Sequence, residues 1–265
     1  MSNFKIDSKS ILEEAHLKGE ITKSAFEIVK NANHKIINEA LSANPDILHA
    51  TSFDILLMIV DDSGSINDIK DPSTGDLIGP KSICDGQNLV IEAFLNSKKA
   101  DHEGVAVLTW PLNSDLPIQP LTELTDPNLT LLANGVNYNA SGGTPLYDKA
   151  VLGLASVLAF KKYVEKEKSA DCRGSILIVS DGYDQHSNFF DANDVRSLIK
   201  ELSGTTESPD IKVAFMGING DETLIKDFNE VAKEIGVHEV FVTTSEPKGI
   251  RNAFFKFSQM SISDN

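Results

Sequence analysis

Residues 55–60, Ile-Leu-Leu-Met-Ile-Val, are apolar without interruption, and the two residues that follow are both aspartate. A half-exposed strand would alternate polar and apolar side chains. An unbroken run of this length instead fits a central parallel strand with both faces covered. Parallel strands need crossover connections, usually helices, so this short run constrains the whole architecture. From residue 53 onward, strand-like and helix-like pieces do alternate. Strands are expected at 55–60, 104–110, 118–123 (a short edge strand), 175–180, 211–218 and 239–243. Helices are expected at 83–97, 144–166, 192–202, 222–235 and 247–260. The pattern predicts an α/β fold over residues 51–262, a doubly wound, mostly parallel six-stranded sheet flanked by helices.

Residues 1–50 read as an N-terminal helical extension. Within 8–43, Gly19 divides the segment into two helices, and Ser10 with Glu13 and Ser24 with Glu27 have capping-box spacing. Phe26, Val29, Ile36, Ile37, Ala40 and Leu41 share one face, which is expected to pack on the main domain, and Pro45 ends the segment.

Of the 265 residues, 41% are hydrophobic and 24% charged, an ordinary balance for a globular chain. The formal charge of −15 argues against a nucleic-acid or anionic-membrane partner. Residues 1–50 carry six lysines against seven acids, so nearly all the excess lies beyond them. No apolar run approaches the roughly 20 residues of a membrane span. Met1–Lys9 is polar and lacks the apolar core of a secretory signal, so a cytoplasmic location is expected. Cys84 and Cys172 have no Cys or His at metal-binding spacing and are expected to be reduced and structural. Asn128 and Asn139 match the glycosylation pattern, which carries meaning only in an exported chain.

In doubly wound sheets, ligands bind beyond the carboxyl ends of the strands. "DDSGS" (61–65) sits at one such end and "SDGYD" (180–184) at another, while "SGGTPLYD" (141–148) opens a helix between them. Three loops thereby bring Asp61, Ser63, Ser65, Thr144 and Asp181 to one edge. Oxygen donors only, with few charges and several hydroxyls, suit a hard dication such as Mg²⁺. Such an ion would offset the cost of gathering carboxylates near an interior. Each piece also has a plainer reading. Asp-x-Ser-x-Ser after a strand makes a turn with a helix cap, Ser-Asp-Gly is a common turn, and Gly-Gly-Thr-Pro starts a helix with Thr as cap.

Taken together and in this order, the three motifs resemble the metal-ion-dependent adhesion site of von Willebrand factor type A domains. That site has the pattern Asp-x-Ser-x-Ser, then Thr, then Asp. Residues 61–65 match the first element, Thr144 in "GGTPLYD" the second and Asp181 in "VSDG" the third, and the likeness spans roughly residues 50–260. The resemblance implies that Ser63, Ser65 and Thr144 lend hydroxyls to Mg²⁺ or Mn²⁺, and that Asp61 and Asp181 bind it directly or through water. It further implies an open coordination position for an Asp or Glu of a protein partner. For an intracellular type, it implies an adaptor role in assemblies such as those driven by AAA-type ATPases of the MoxR kind. Two features depart from the pattern: residues 66–82, read as a loop beside the site, and the segment 1–50.

Other classes fit less well. A hydrolase would use Ser63 as nucleophile, but the α/β-hydrolase elbow needs glycine where Asp61 stands. A haloacid-dehalogenase-type phosphotransferase would want aspartate at position 63, and no phosphate-cradling glycine motif is present. The reading is therefore a cytoplasmic metal-dependent adaptor and not an enzyme, with a structural scaffold carrying a degenerate site as the alternative. Residues 66–82 and the turn 110–115 are expected to border the site.

Overall fold

In a computed structural model, which describes residues 6–42, 50, 52–97, 104–124, 138–204, 209–218 and 222–263, the apolar run lies within strand β1 (Ser52–Val60). Along it, Ile55, Leu57 and Ile59 enter one hydrophobic core while Leu56, Met58 and Val60 enter another. This two-sided burial is why the run shows no polar alternation. Strand β2 (Gly104–Pro111) pairs parallel with one side of β1 and β4 (Asp171–Ser180) with the other. Beyond β4 lie β5 (Ile211–Ile218) and β6 (Glu239–Thr243), both parallel, and beyond β2 lies the antiparallel edge strand β3 (Gln119–Glu123). The sheet order is β3-β2-β1-β4-β5-β6.

Helices α4 (Gly79–Leu95) and α8 (Pro247–Ser263) cover one face of the sheet. Helices α5 (Leu146–Lys168), α6 (Ala192–Ser203) and α7 (Glu222–Ile235) cover the other. The fold is thus a doubly wound α/β sheet flanked by helices. From β1 the chain winds one way through α4 to β2, and from β4 it winds the opposite way through α6 to β5. Neighbouring strands whose following helices leave on opposite faces open a crevice at their carboxyl ends. That crevice lies between β1 and β4.

The extension forms α1 (Ser8–Leu17), α2 (Lys23–Lys30) and α3 (His34–Ala40), three helices rather than two. Their caps are Asp7, Thr22 and Asn33, each accepting a backbone N–H three residues on, so Ser10 and Ser24 sit inside first turns instead of at the cap. Gly19, with φ of 73°, falls in the turn after α1, and a second break at Asn31–Asn33 separates α2 from α3. Val29, Ile37, Ala40 and Leu41 are fully buried in the same core as α5, so the apolar face does pack on the main domain. Enclosed between the sheet and this extra layer, α5 is buried almost all round, which accounts for its sequence "AVLGLASVLAF".

Residues 66–82 are more ordered than the expected loop: a 3-10 helix ends at Asp68, Lys70 and Leu77 form an antiparallel bridge, and α4 already begins at Gly79. Trp110, expected to end the strand 104–110 and to open the turn after it, lies in β2 and is fully buried in the core beside α5. Both cysteines are buried and free. Pro45 and Asn128 lie outside the described residues. Among the described residues no helix is long and apolar enough to cross a membrane.

Candidate functional site

Strand register builds the site. Val60 pairs with Val179, so the chains leave β1 and β4 at the same level, and the Asp61 N–H still donates to the Val179 carbonyl at 3.0 Å. Asp61 and Asp181 therefore emerge side by side. The Asp61 carboxylate is fully buried. It accepts the Ser63 N–H at 2.8 Å through Oδ1, and the Ser180 hydroxyl at 2.9 Å and the Asp181 N–H at 3.4 Å through Oδ2. The Asp-turn is real, as the plain reading requires, yet it turns the chain so that Ser63 and Ser65 face Asp181. Ser63 Oγ lies 2.9 Å from Ser65 Oγ, which donates to Asp181 Oδ1 at 3.0 Å.

The third loop is laced to the first. Ser141 N–H donates to the Asp62 carbonyl at 2.7 Å, Gly64 N–H to the Gly142 carbonyl at 3.1 Å, and Asn67 Nδ2 to the Ala140 carbonyl at 2.8 Å. Gly142 has φ of 68°, a left-handed conformation that strains other residues. A Cβ at Gly143 would stand 2.2 Å from His186 Nδ1, so the imidazole packs directly on the backbone there. His186 Nδ1 in turn accepts the Thr144 N–H at 3.1 Å.

Thr144 does not cap α5. The helix takes Pro145 at its N-cap position without a side-chain cap, and the N–H groups of Tyr147 and Asp148 donate instead to Asp184 and Ser187 of the β4–α6 loop, at 3.3 and 3.0 Å. The Asp148 carboxylate returns the tie by accepting the N–H groups of Asn188, Phe189 and Phe190. With its capping role taken over, the Thr144 hydroxyl makes no hydrogen bond among the described residues, although the residue is only 6% exposed.

Ser63, Ser65, Thr144 and Asp181 line one cleft of about 370 Å³. Asp61 is not a wall of this cleft but is bonded to two of its walls. An adjoining cleft of about 470 Å³ shares Ser65 and Asp181 and adds Asp68, Ile69, Lys70 and Pro72, which places part of 66–82 beside the site. Among the described residues no group of three or more His, Cys, Asp or Glu side chains is arranged to hold a metal; the converging donors are two carboxylates and three hydroxyls.

Charge is unsettled at this edge. Burial, then the neighbouring charge of Asp61, pushes the Asp181 carboxyl up to about 7, against the Ser65 hydrogen bond. Burial also pushes Asp62 up to about 6, although it accepts the Asn113 N–H at 2.7 Å. Three residues important to this arrangement carried no sequence signal. Asp62 looks equivalent to Asp61 but turns toward Asn113, Ser180 braces Asp61 from the neighbouring strand end, and the Tyr138 hydroxyl donates to the Asp61 carbonyl.

No family model matches the chain, and no curated protein sequence matches it. Among solved structures, it is similar to a mutant of the PilB minor pilin from Streptococcus sanguinis, at 13% identity and a TM-score of 0.55, over 79% of this chain and 61% of that one. The pilus adhesin SpaC from Lactobacillus rhamnosus GG, in an open conformation, aligns at 11% identity and a TM-score of 0.48, over 79% of this chain and 30% of that one. The manganese-loaded TRAP protein from Plasmodium vivax aligns at 13% identity and a TM-score of 0.42, over 79% of this chain and 74% of that one. The chain thus spans less than two thirds of the PilB and SpaC chains. At such identities the PilB likeness is one of fold alone.

Proposed function

We propose that the cleft between β1 and β4 binds a hard divalent cation, Mg²⁺ or Mn²⁺, and that the chain is a protein-interaction module of the von Willebrand factor type A kind. Ser63, Ser65, Thr144 and Asp181 would hold the ion from the cleft walls, and Asp61 would hold it directly or through water. The observation that carries this reading is Thr144, a buried residue on the wall of the cleft that Asp181 also lines, whose hydroxyl has no capping role and no hydrogen bond among the described residues. The donor set fits a hard cation, since it contains oxygen atoms only. A dication would also supply the positive charge that an edge holding Asp181 near pKa 7 calls for.

When bound, the ion offers a Lewis-acidic position to an Asp or Glu of a protein partner. The chain's own residues orient that encounter. The laced loops fix the hydroxyls, and the wall from Asp68 to Pro72 borders the approach. A serine nucleophile would need a base within reach. Ser63 Oγ is instead beside Ser65 Oγ, and His186 Nδ1 is engaged by the Thr144 N–H, which favours binding over hydrolysis. In a cytoplasmic setting, the partner would be an intracellular assembly, an AAA-type ATPase complex among the candidates.

Titration calorimetry with Mg²⁺ and Mn²⁺ tests the reading. Wild type should bind one ion, and Asp61→Ala should lose at least about 100-fold in affinity, the scale of removing a hydrogen-bonded ion partner. Equal affinity in the two proteins would refute the site.

A further inference from the structure

A cleft larger than either of those lined by Asp181 lies elsewhere, where the first turns of α8 meet α4. It measures about 560 Å³ and is walled on one side by Lys248 and Arg251 and on the other by Ser82, Asp85, Asn88 and Glu92. Its size is within the range of small-molecule sites. The α8 side is a wall of hydrogen-bond donors. The helix is 17 residues long and begins at Pro247, which has no N–H; the N–H groups of Lys248 and Gly249 find no acceptor among the described residues. Neither Lys248 nor Arg251 forms an ion pair or side-chain hydrogen bond among the described residues. Helix N-termini with adjacent cations bind phosphate through these N–H donors and the helix dipole.

Asn88 points independently to a ligand. It is only 9% exposed, lines the cleft, and its amide makes no hydrogen bond among the described residues, with Oδ1 fully buried. A buried amide oxygen without a partner is destabilising, so folding alone gives no reason for asparagine here. The α4 wall complements the α8 wall. Glu92 and Asp85, the latter already paired with Lys81, present acceptors where α8 presents donors.

We propose that this cleft binds a small phosphorylated compound with a hydroxyl-bearing body. Its phosphate is held by Lys248, Arg251 and the α8 N-terminus, and its body donates to Asp85 and Glu92 and accepts from Asn88 Nδ2. The site is separate from the cation site and needs no metal.

The test is ¹H–¹⁵N NMR titration of the full chain in EDTA with ribose 5-phosphate, inorganic phosphate and ribose. Saturable shifts of the amides at 248–251 are expected with ribose 5-phosphate, at least tenfold weaker with inorganic phosphate, and none with ribose. Arg251→Glu should weaken ribose 5-phosphate at least tenfold. Asn88→Leu should raise the thermal midpoint of the free protein, by removing an unpaired amide, while weakening the ligand several-fold. Shifts that do not saturate, or that persist in Arg251→Glu, would overturn the proposal. Inorganic phosphate binding as tightly as the sugar phosphate would overturn the assigned body. An Asn88→Leu protein that binds unchanged would do the same for the role of the amide.

Discussion

Two parts of the molecule bury charge in opposite ways. Toward the end of α5, Lys161 is 9% exposed, and its ammonium meets Glu165 and Asp210, each at 2.9 Å. Burial would push the Glu165 carboxyl up, yet Lys162 and Lys161 bring it below its ordinary value. Burial would push Lys161 down, yet Glu165 and Asp210 hold it above its ordinary value. At the carboxyl edge of the sheet, Asp61 and Asp181 lean on hydroxyls, N–H groups and each other, and the Asp181 carboxyl goes up. A chain with 24 Lys and Arg has cations to spend, and it places them around α5. The difference teaches that α5 carries the counter-charges of its own acids, whereas the carboxyl edge fits the external cation proposed above.

The largest expected effect is on the pH dependence of the metal-free protein. Asp181 has a folded value of about 7 against an ordinary 3.8, so between those limits the folded state holds a proton that the unfolded chain releases. Its contribution is therefore full below about pH 4 and is lost as pH rises to 7. His34 and His238, both pushed down by burial, act oppositely below pH 6.5, so the comparison needs a variant. Relative to Asp181→Asn, wild type in EDTA should lose on the order of a few kcal/mol between pH 4.5 and 7.5. Urea midpoints at the two pH values measure it, and saturating Mg²⁺ should abolish the difference. Parallel pH profiles for the two proteins would break the comparison. Asp61→Ala is the poorer choice for this purpose, since it strands the Ser63 N–H.

The α5 charges should respond with the opposite sign. Lys161→Ala removes the cation from two acids that keep partial contact with water, at 33% and 48% side-chain exposure, so hydration limits the damage. A destabilisation of about 1–2 kcal/mol at pH 7 is expected, read from urea unfolding. An Asp181→Asn protein more stable than wild type at that pH, beside a Lys161→Ala protein less stable, would establish the contrast directly.

Thr144→Val is a finer probe. It keeps the shape and removes only a hydroxyl that makes no hydrogen bond among the described residues. Stability should hold or rise slightly, while Mg²⁺ affinity falls about tenfold, the equivalent of about 1.4 kcal/mol. If both quantities stay within error, Thr144 is a core residue and the cation reading loses its main support.

Much of this contrast could be read from the sequence, for a physical reason. Runs such as Ile55–Val60 and Ser175–Ser180 lack alternation because both faces of the sheet are covered, and strand ends in doubly wound folds converge, so motif order alone led Asp61, Thr144 and Asp181 to be expected at one edge. Helix starts were less legible. Asp7 and Ser10 are both good caps by composition, and only the backbone decides which lies first. Support for the site was illegible where it arises across strands. Nothing near Ser180 or Tyr138 in sequence announces that each bonds Asp61. Trp110 was expected both to end a strand and to open the turn after it; the strand runs on to Pro111, and the ring is buried on the α5 side of the sheet. The α4–α8 cleft joins residues far apart in sequence, so neither helix predicts it alone.

The smallest expected effect concerns the tip of the 66–82 insertion. The tip is self-contained: Asp71 accepts from the Ser73 N–H and hydroxyl, Asp71 N–H donates to the Asp76 carbonyl at 2.9 Å, and Gly75 N–H donates to the Asp71 carbonyl at 2.8 Å. Below it, the Lys70–Leu77 bridge has the antiparallel geometry that a two-residue turn can close. Replacing 71–76 by Asn-Gly should therefore leave Mg²⁺ affinity within about twofold and stability within about 0.5 kcal/mol, as for surface changes away from packed features. The adjoining cleft would lose Pro72 but keep Asp68, Ile69 and Lys70, so only partner affinity should move. Calorimetry with Mg²⁺ separates the outcomes. A tenfold loss of metal affinity would mean that the insertion holds Ser65 in place, and the carboxyl edge would then extend further along the chain than its three loops.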